Sequence, residues 1–181
     1  MRLETARAVL RSLTPEDVGP VYLDWLRDPE VMRYMNARFD EVSEEAARAF
    51  VSAHDDRDRF LLGIFDRASG KHVGNHRAVC HSAHRRAHVG VMVGDRAHWG
   101  TGIVPETRTA LLDFLFGPVG MLKVCGEVYA VNTAGVFNHQ ALGFAVEGVL
   151  ASHVVCDEGR SDVILFAMFQ HDWLARREAR A

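Results

Sequence analysis

Between His88 and Phe116 the chain reads as an apolar strand ending at Val93, a loop from Gly94 to Gly102, and a helix starting at about Val104. This order constrains the fold more than any other feature, because the glycines let the backbone turn sharply from a sheet edge into a helix N-terminus. Pro105 fits the first helical turn, where its missing N–H is not needed. Exposed amides at such a helix start suit an anion such as pyrophosphate. The same loop is also compatible with a tight turn that binds nothing. It is not a P-loop, since no Gly-Lys-Ser/Thr follows, nor the three-glycine dinucleotide fingerprint.

Ala8-Val9-Leu10 has strand character, and Thr14-Pro15-Glu16-Asp17 predicts a helix start running through Leu26. Asp28-Pro29-Glu30 opens a second short helix through Met35, and Ser43-Glu44-Glu45 a third. The period then changes. Phe60 to Phe65, His72 to Cys80 and Val124 to Val131 read as strands, Ala134 to Leu142 as a helix, and Gly148 to Val155 with Asp162 to Phe169 as a hairpin. No linker or repeat divides the chain, so the expectation is one domain over 1–181, a mixed α+β sheet with helices packed on it.

The 181 residues are 48% hydrophobic and 25% charged, enough for a sizeable core without staples, and the three cysteines show no paired spacing. A net charge of -3 argues against a nucleic-acid-binding face. Without an apolar signal core or a span of roughly 20 apolar residues, no membrane association and a cytoplasmic location are expected. Several histidines crowd residues 72 to 98, but His84 and His88 fall where loop runs into strand. An i, i+4 pair there is about 13 Å apart, so no metal is expected.

A second motif follows the glycine loop: Glu127-Val128-Tyr129-Ala130-Val131-Asn132, then a helix through Asn138 and His139 to Gly143-Phe144. With Trp99-Gly100-Thr101-Gly102, Trp25-Leu26-Arg27-Asp28-Pro29-Glu30-Val31, Gly74-Asn75 and Glu147-Gly148-Val149-Leu150, it resembles the GNAT (general N-acetyltransferase) superfamily, especially its ribosomal-protein alanine acetyltransferase-like branch. The resemblance covers nearly the whole chain. It implies a GNAT-like, mostly antiparallel central sheet with helices on both faces, whose fourth and fifth strands splay apart to admit the pantetheine arm of acetyl-CoA as an added strand. Met92 and Val93 would pair with that arm. His98, Gly100, Thr101, Gly102, Ile103 and Val104 would surround the pyrophosphate, and Asn132 and Asn138 would touch the pantetheine.

The implied chemistry is acetyl transfer to a primary amine, which must be uncharged to attack, so a base is needed. Glu127 stands where the resembled enzymes carry a catalytic glutamate, although most strand glutamates merely pair or face water. The family's usual proton-donating tyrosine aligns with His139, a departure that an imidazole could serve or that leaves only a helix histidine; Tyr129 is a replacement donor. Gly135, Ala141 and Ala97 also depart from common family residues, which keeps open a catalytically degenerate acyl-CoA-binding module. By analogy of fold, Tyr34, Met35, Asn36, Arg38 and His76 would line the acceptor site. The acceptor would be a small-molecule amine, such as a nucleotide-linked amino sugar, or a protein N-terminus, and the protein a monomer or homodimer.

Overall fold

The computed structural model describes residues 1–35, 42–157 and 159–179. Eight strands form one sheet in the order β1-β2-β3-β4-β5-β6-β8-β7. They are β1 (Arg2–Glu4), β2 (Ala8–Ser12), β3 (Arg59–Asp66), β4 (His72–His81), β5 (Arg86–Val93), β6 (Lys123–Tyr129), β7 (Ala145–Cys156) and β8 (Gly159–Phe169). Every neighbouring pair is antiparallel except β5 and β6.

That parallel pair places the site. Its register holds only Arg86↔Lys123, Ala87↔Val124 and His88↔Cys125, while β5 continues to Val93 and β6 to Tyr129. Beyond His88 the strands diverge, leaving two inner strand edges unpaired with each other, the splay that the resemblance implies. Because β1 precedes the first strand read from sequence, the splayed strands are fifth and sixth in chain order.

Among the described residues six α-helices flank the sheet: α1 (Pro20–Arg27), α2 (Pro29–Met32), α3 (Glu44–Ser52), α4 (Ile103–Phe116), α5 (Thr133–Leu142) and α6 (Gln170–Glu178). Strand alternation divides the core between the faces. Leu62, Ala78, Val89, Val124 and Val128 pack with Leu111, Leu112 and Leu115 of α4, Leu142 of α5 and Trp173 of α6. Leu61 and Met92 pack with Tyr22, Leu23 and Trp25 of α1, Val31 of α2 and Ala47 and Val51 of α3.

The helical segments depart most from the sequence reading at Pro20, at the end of α2 and at α6. Thr14 and Asp17 form a capping box around a single 3-10 turn, Pro15–Asp17. The helix restarts at Pro20, because proline lacks the N–H needed to continue the ladder and forces the preceding Gly19 to an extended backbone. α2 ends at Met32, not Met35. α6 escaped the reading altogether; its polar sequence is held by one anchor, Trp173, which is buried beside Phe116 and donates Nε1–H to Asp113 at 2.8 Å.

Candidate active site

The turn into α4 is built by glycine conformation and by tethers. Gly100 and Gly102 adopt φ of 70° and 82°, the left-handed region that side chains disfavour, and Gly102 is the N-cap of α4. The first amides of α4 have no acceptor within the helix. Asp95 accepts from the N–H of Ala97 at 3.0 Å and meets His98 Nδ1 at 3.1 Å. Trp99 Nε1 donates to the carbonyl of Val93 at 2.8 Å, and Arg7 reaches across to donate to the Thr101 carbonyl at 2.8 Å while pairing with Glu106 at 2.6 Å. Arg96 fastens the loop to the start of α2 through Asp28 at 2.6 Å and Glu30 at 2.7 Å. The result is a tethered turn that ends in a helix N-terminus, where partial positive charge favours a phosphate.

This loop borders a cleft of about 960 Å³ that enters the splay between β5 and β6. All of the expected CoA-binding residues line it except Thr101, whose Oγ1 donates to the His98 carbonyl at 2.8 Å. Asn132 caps α5, its Oδ1 accepting from the Gly135 N–H at 2.9 Å. That leaves its amide nitrogen as the part available to a ligand, and Asn138 lies one and a half turns further along the same wall.

Glu127 and Tyr129 lie on one face of β6 and both line the cleft, and Val128 between them touches the cleft wall but is buried in the core with α4. Glu127 is exposed to the cleft. Tyr129 meets Tyr34 edge to face with ring centroids 6.3 Å apart, so the proposed acceptor side and the reacting strand touch. Tyr34 and Met35 line the cleft; Asn36 and Arg38 lie outside the described residues.

Two expected residues occupy other surroundings. His76 is 0% exposed and does not reach the cleft: its ring meets Thr107 Oγ1 at 2.8 Å beneath α4. Because Thr107 gives its own hydroxyl hydrogen to the Ile103 carbonyl at 2.7 Å, His76 Nε2–H is the donor in that pair. Its place follows from strand parity, which turns alternate β4 side chains inward.

His139 reaches the cleft wall but is only 8% exposed, stacked on Phe166 at 4.9 Å and packed against Gly126. Its Nδ1–H donates to the Gly135 carbonyl at 2.9 Å, and Nε2 has no partner. Burial, aided by the charge of Arg108, pushes its pKa down to about 4. The ring is thus held in its neutral form, with its Nδ1 hydrogen committed to Gly135.

The sequence reading missed Arg108 and Gly126, and it named His88 only within the histidine cluster. Arg108 lines the cleft although it is 2% exposed; its signal was a basic residue inside the apolar stripe of α4. His88 lies at the mouth of the splay, its Nε2 accepting from Arg86 at 2.6 Å. Gly126 leaves the space that the His139 ring fills. Among the described residues no three His, Cys, Asp or Glu side chains form a group that could hold a metal, and no helix is long and apolar enough to cross a membrane.

A splayed sheet with a phosphate-compatible helix start and a carboxylate on the facing strand defines an acyl-thioester-using transferase. The sequence model of the acetyltransferase (GNAT) domain matches residues 7–145, and the chain belongs to that family of N-acetyltransferases. It is 28% identical over 180 residues to the uncharacterized N-acetyltransferase p20 of Bacillus licheniformis, covering 94% of this chain and 97% of that one. Identity to spermidine N(1)-acetyltransferase of Escherichia coli K12 is 27%, covering 93% and 89%. The fold matches spermidine N-acetyltransferase of Vibrio cholerae, solved with CoA and spermine, at a TM-score of 0.83 with 19% identity, covering 93% of this chain and 99% of that one. It also matches ribosomal-protein-S5-alanine acetyltransferase of Vibrio fischeri at 0.81 with 18% identity, covering 96% and 98%.

Proposed function

We propose that this protein transfers acetyl from acetyl-CoA to the primary amine of a small molecule, with Glu127 accepting the amine proton through water and Tyr129 protonating the departing thiolate. The observation that carries this reading is the splay: a cleft bounded by free helix-start amides at one end and by Glu127 and Tyr129 on its inner strand edge. Acetyl-CoA fits this frame because its pyrophosphate needs N–H donors and its pantetheine amides need strand edges, and the cleft offers both. Met92 and Val93 on β5 would pair with the arm, and Asn132 and Asn138 would contact it from α5. His98 through Val104 would hold the pyrophosphate. The phenol of Tyr129 replaces His139 as proton donor, since the imidazole is neutral and committed to Gly135.

The lining favours an acceptor with a single amine on a polar body over a polyamine. Among the described residues its carboxylates are Glu30 and Glu127, and Glu30 is already taken by Arg96, while Arg33, Arg77 and Arg108 line the same space. A polycation would need a surplus of acids. A nucleotide-linked amino sugar suits such a cleft, with a protein N-terminus as the other acceptor. We read residues 1–181 as one cytoplasmic domain; the apolar Val146, Val149 and Val155 exposed along edge strand β7 favour a homodimer over a monomer.

The test pairs binding with turnover. Calorimetry should show one saturable acetyl-CoA site, and free thiol should appear when an amine panel is added. Glu127→Gln should cut the thiol-release rate by roughly 10²- to 10⁴-fold, the usual yield of a positioned base, without abolishing binding. Absence of acetyl-CoA binding at millimolar concentration would overturn the assignment. Binding without thiol release from any amine would make the protein a binding module instead.

A further inference from the structure

Arg108 is a charge that the acetyl-transfer chemistry leaves unused. α4 buries Ile103, Thr107, Arg108, Leu111, Leu112 and Leu115 along one stripe, so the guanidinium occupies a core position facing the sheet. Its Nε has no hydrogen-bond partner, and among the described residues no carboxylate pairs with it. The nearest titratable groups are His76 on β4 and His139 on α5, and each has a ring nitrogen without a partner. Burial first and the Arg108 charge second hold both rings neutral. Arg108 thus lines the cleft without an ion-pair partner among the described residues.

Burying an unpaired charge is strongly unfavourable, and an apolar side chain would fill the same stripe without that penalty. An acid entering the cleft would answer it, and a guanidinium is shaped to grip a carboxylate through two parallel hydrogen bonds. We propose that Arg108 receives a carboxylate at the far end of the donor's acyl chain, so that besides acetyl-CoA the cleft accepts short dicarboxylic acyl-CoA thioesters of the succinyl type and binds them more tightly. This rests on the reading that the cleft holds an acyl-CoA. The donor is the source of the acid because Arg108 belongs to α4, the helix whose first turn faces the pyrophosphate. The acceptor-side residues Tyr34 and Met35 follow α2, which packs on the opposite face of the sheet.

The bond changes are those of any acyl transfer. The amine nitrogen attacks the thioester carbonyl carbon, a C–N amide bond forms and the C–S bond breaks. The sulfur leaves with the electron pair and is protonated by Tyr129, while the surplus amine proton passes to Glu127. The remote carboxylate stays ionised against Arg108 and is carried unchanged into the product.

Calorimetry with CoA, acetyl-CoA and succinyl-CoA, followed by thiol release from the two thioesters with glycinamide and glucosamine as amine probes, tests this. Succinyl-CoA should bind about tenfold or more tightly than acetyl-CoA, the scale of a charge-assisted hydrogen bond. Arg108→Met, which keeps the stripe filled, should bring that ratio to one or below, whereas Arg108→Lys should retain part of it. A ratio of one or less in the wild type, or a ratio unchanged in Arg108→Met, overturns the inference. So does an equal loss of turnover with both thioesters, which would mean that Arg108 acts on the shared carbonyl. A preference for glycine over glycinamide without any donor preference would assign the carboxylate to the acceptor and overturn it as well. If CoA itself fails to bind, the acyl-transfer reading falls first; if CoA binds and acetyl-CoA is preferred, only this inference falls.

Discussion

Lowering the pH should destabilise this protein through His139 before its carboxylates begin to protonate. The folded imidazole has a pKa of about 4 against an ordinary value of 6.5. Between those values the unfolded chain binds a proton that the native state refuses, so stability is fully present above pH 6.5 and is lost as the pH falls toward 4. From a shift between 6.5 and about 4, linkage gives a loss of about 2 kcal/mol by pH 5 and about 3 kcal/mol by pH 4. His76, buried beside the same Arg108 and also held well below its ordinary value, adds in the same direction. Urea unfolding at pH 7.5 and 5.0 reads the difference directly. His139→Leu removes one titrating group while keeping an apolar filling between Phe144 and Phe166, so its loss over that interval should be smaller by about 2 kcal/mol. Equal losses in the two proteins would refute the reasoning, because they would place the titration elsewhere.

Gly126→Ala drives a Cβ into the His139 ring, which is held by Gly135 and by Phe166 and cannot retreat. Such overpacking costs about 1–3 kcal/mol, which corresponds to a fall of roughly 3 to 10 °C in the thermal midpoint for a chain of this size; an unchanged midpoint would show that the ring can move. Arg7→Ala releases the Thr101 carbonyl and Glu106, so the acetyl-CoA Kd measured by calorimetry should rise several-fold while the thermal midpoint stays nearly constant, since exposed ion pairs contribute little stability. A Kd equal to the wild type would show that the glycine loop keeps its shape unaided.

Local patterns carried most of the architecture. The apolar run of β3, its hairpin to β4 and the glycines before α4 are properties of neighbouring residues, and their readings agree with the structure. Helix boundaries near Pro20 shifted because a proline three residues beyond a capping box splits one helix into a turn and a helix. α6 was missed because a polar nine-residue segment shows little periodicity, and its placement depends on one tryptophan reaching a pocket made by other elements.

For the site, sequence alone determined which residues lie on the α4 turn and that Glu127 and Tyr129 share a strand face, since both follow from local backbone geometry. Only the tertiary structure decided what each polar side chain experiences. His76 and His139 look alike as isolated histidines. Strand parity buries one under α4, and helix packing presses the other onto Gly126, so that both are neutral. Arg108 became notable for the same reason: a charge in an apolar stripe is visible in the sequence, but whether an acid from another element meets it depends on long-range packing. Desolvation and pairing energies are set by neighbours distant in sequence, and they fix protonation, hence chemistry.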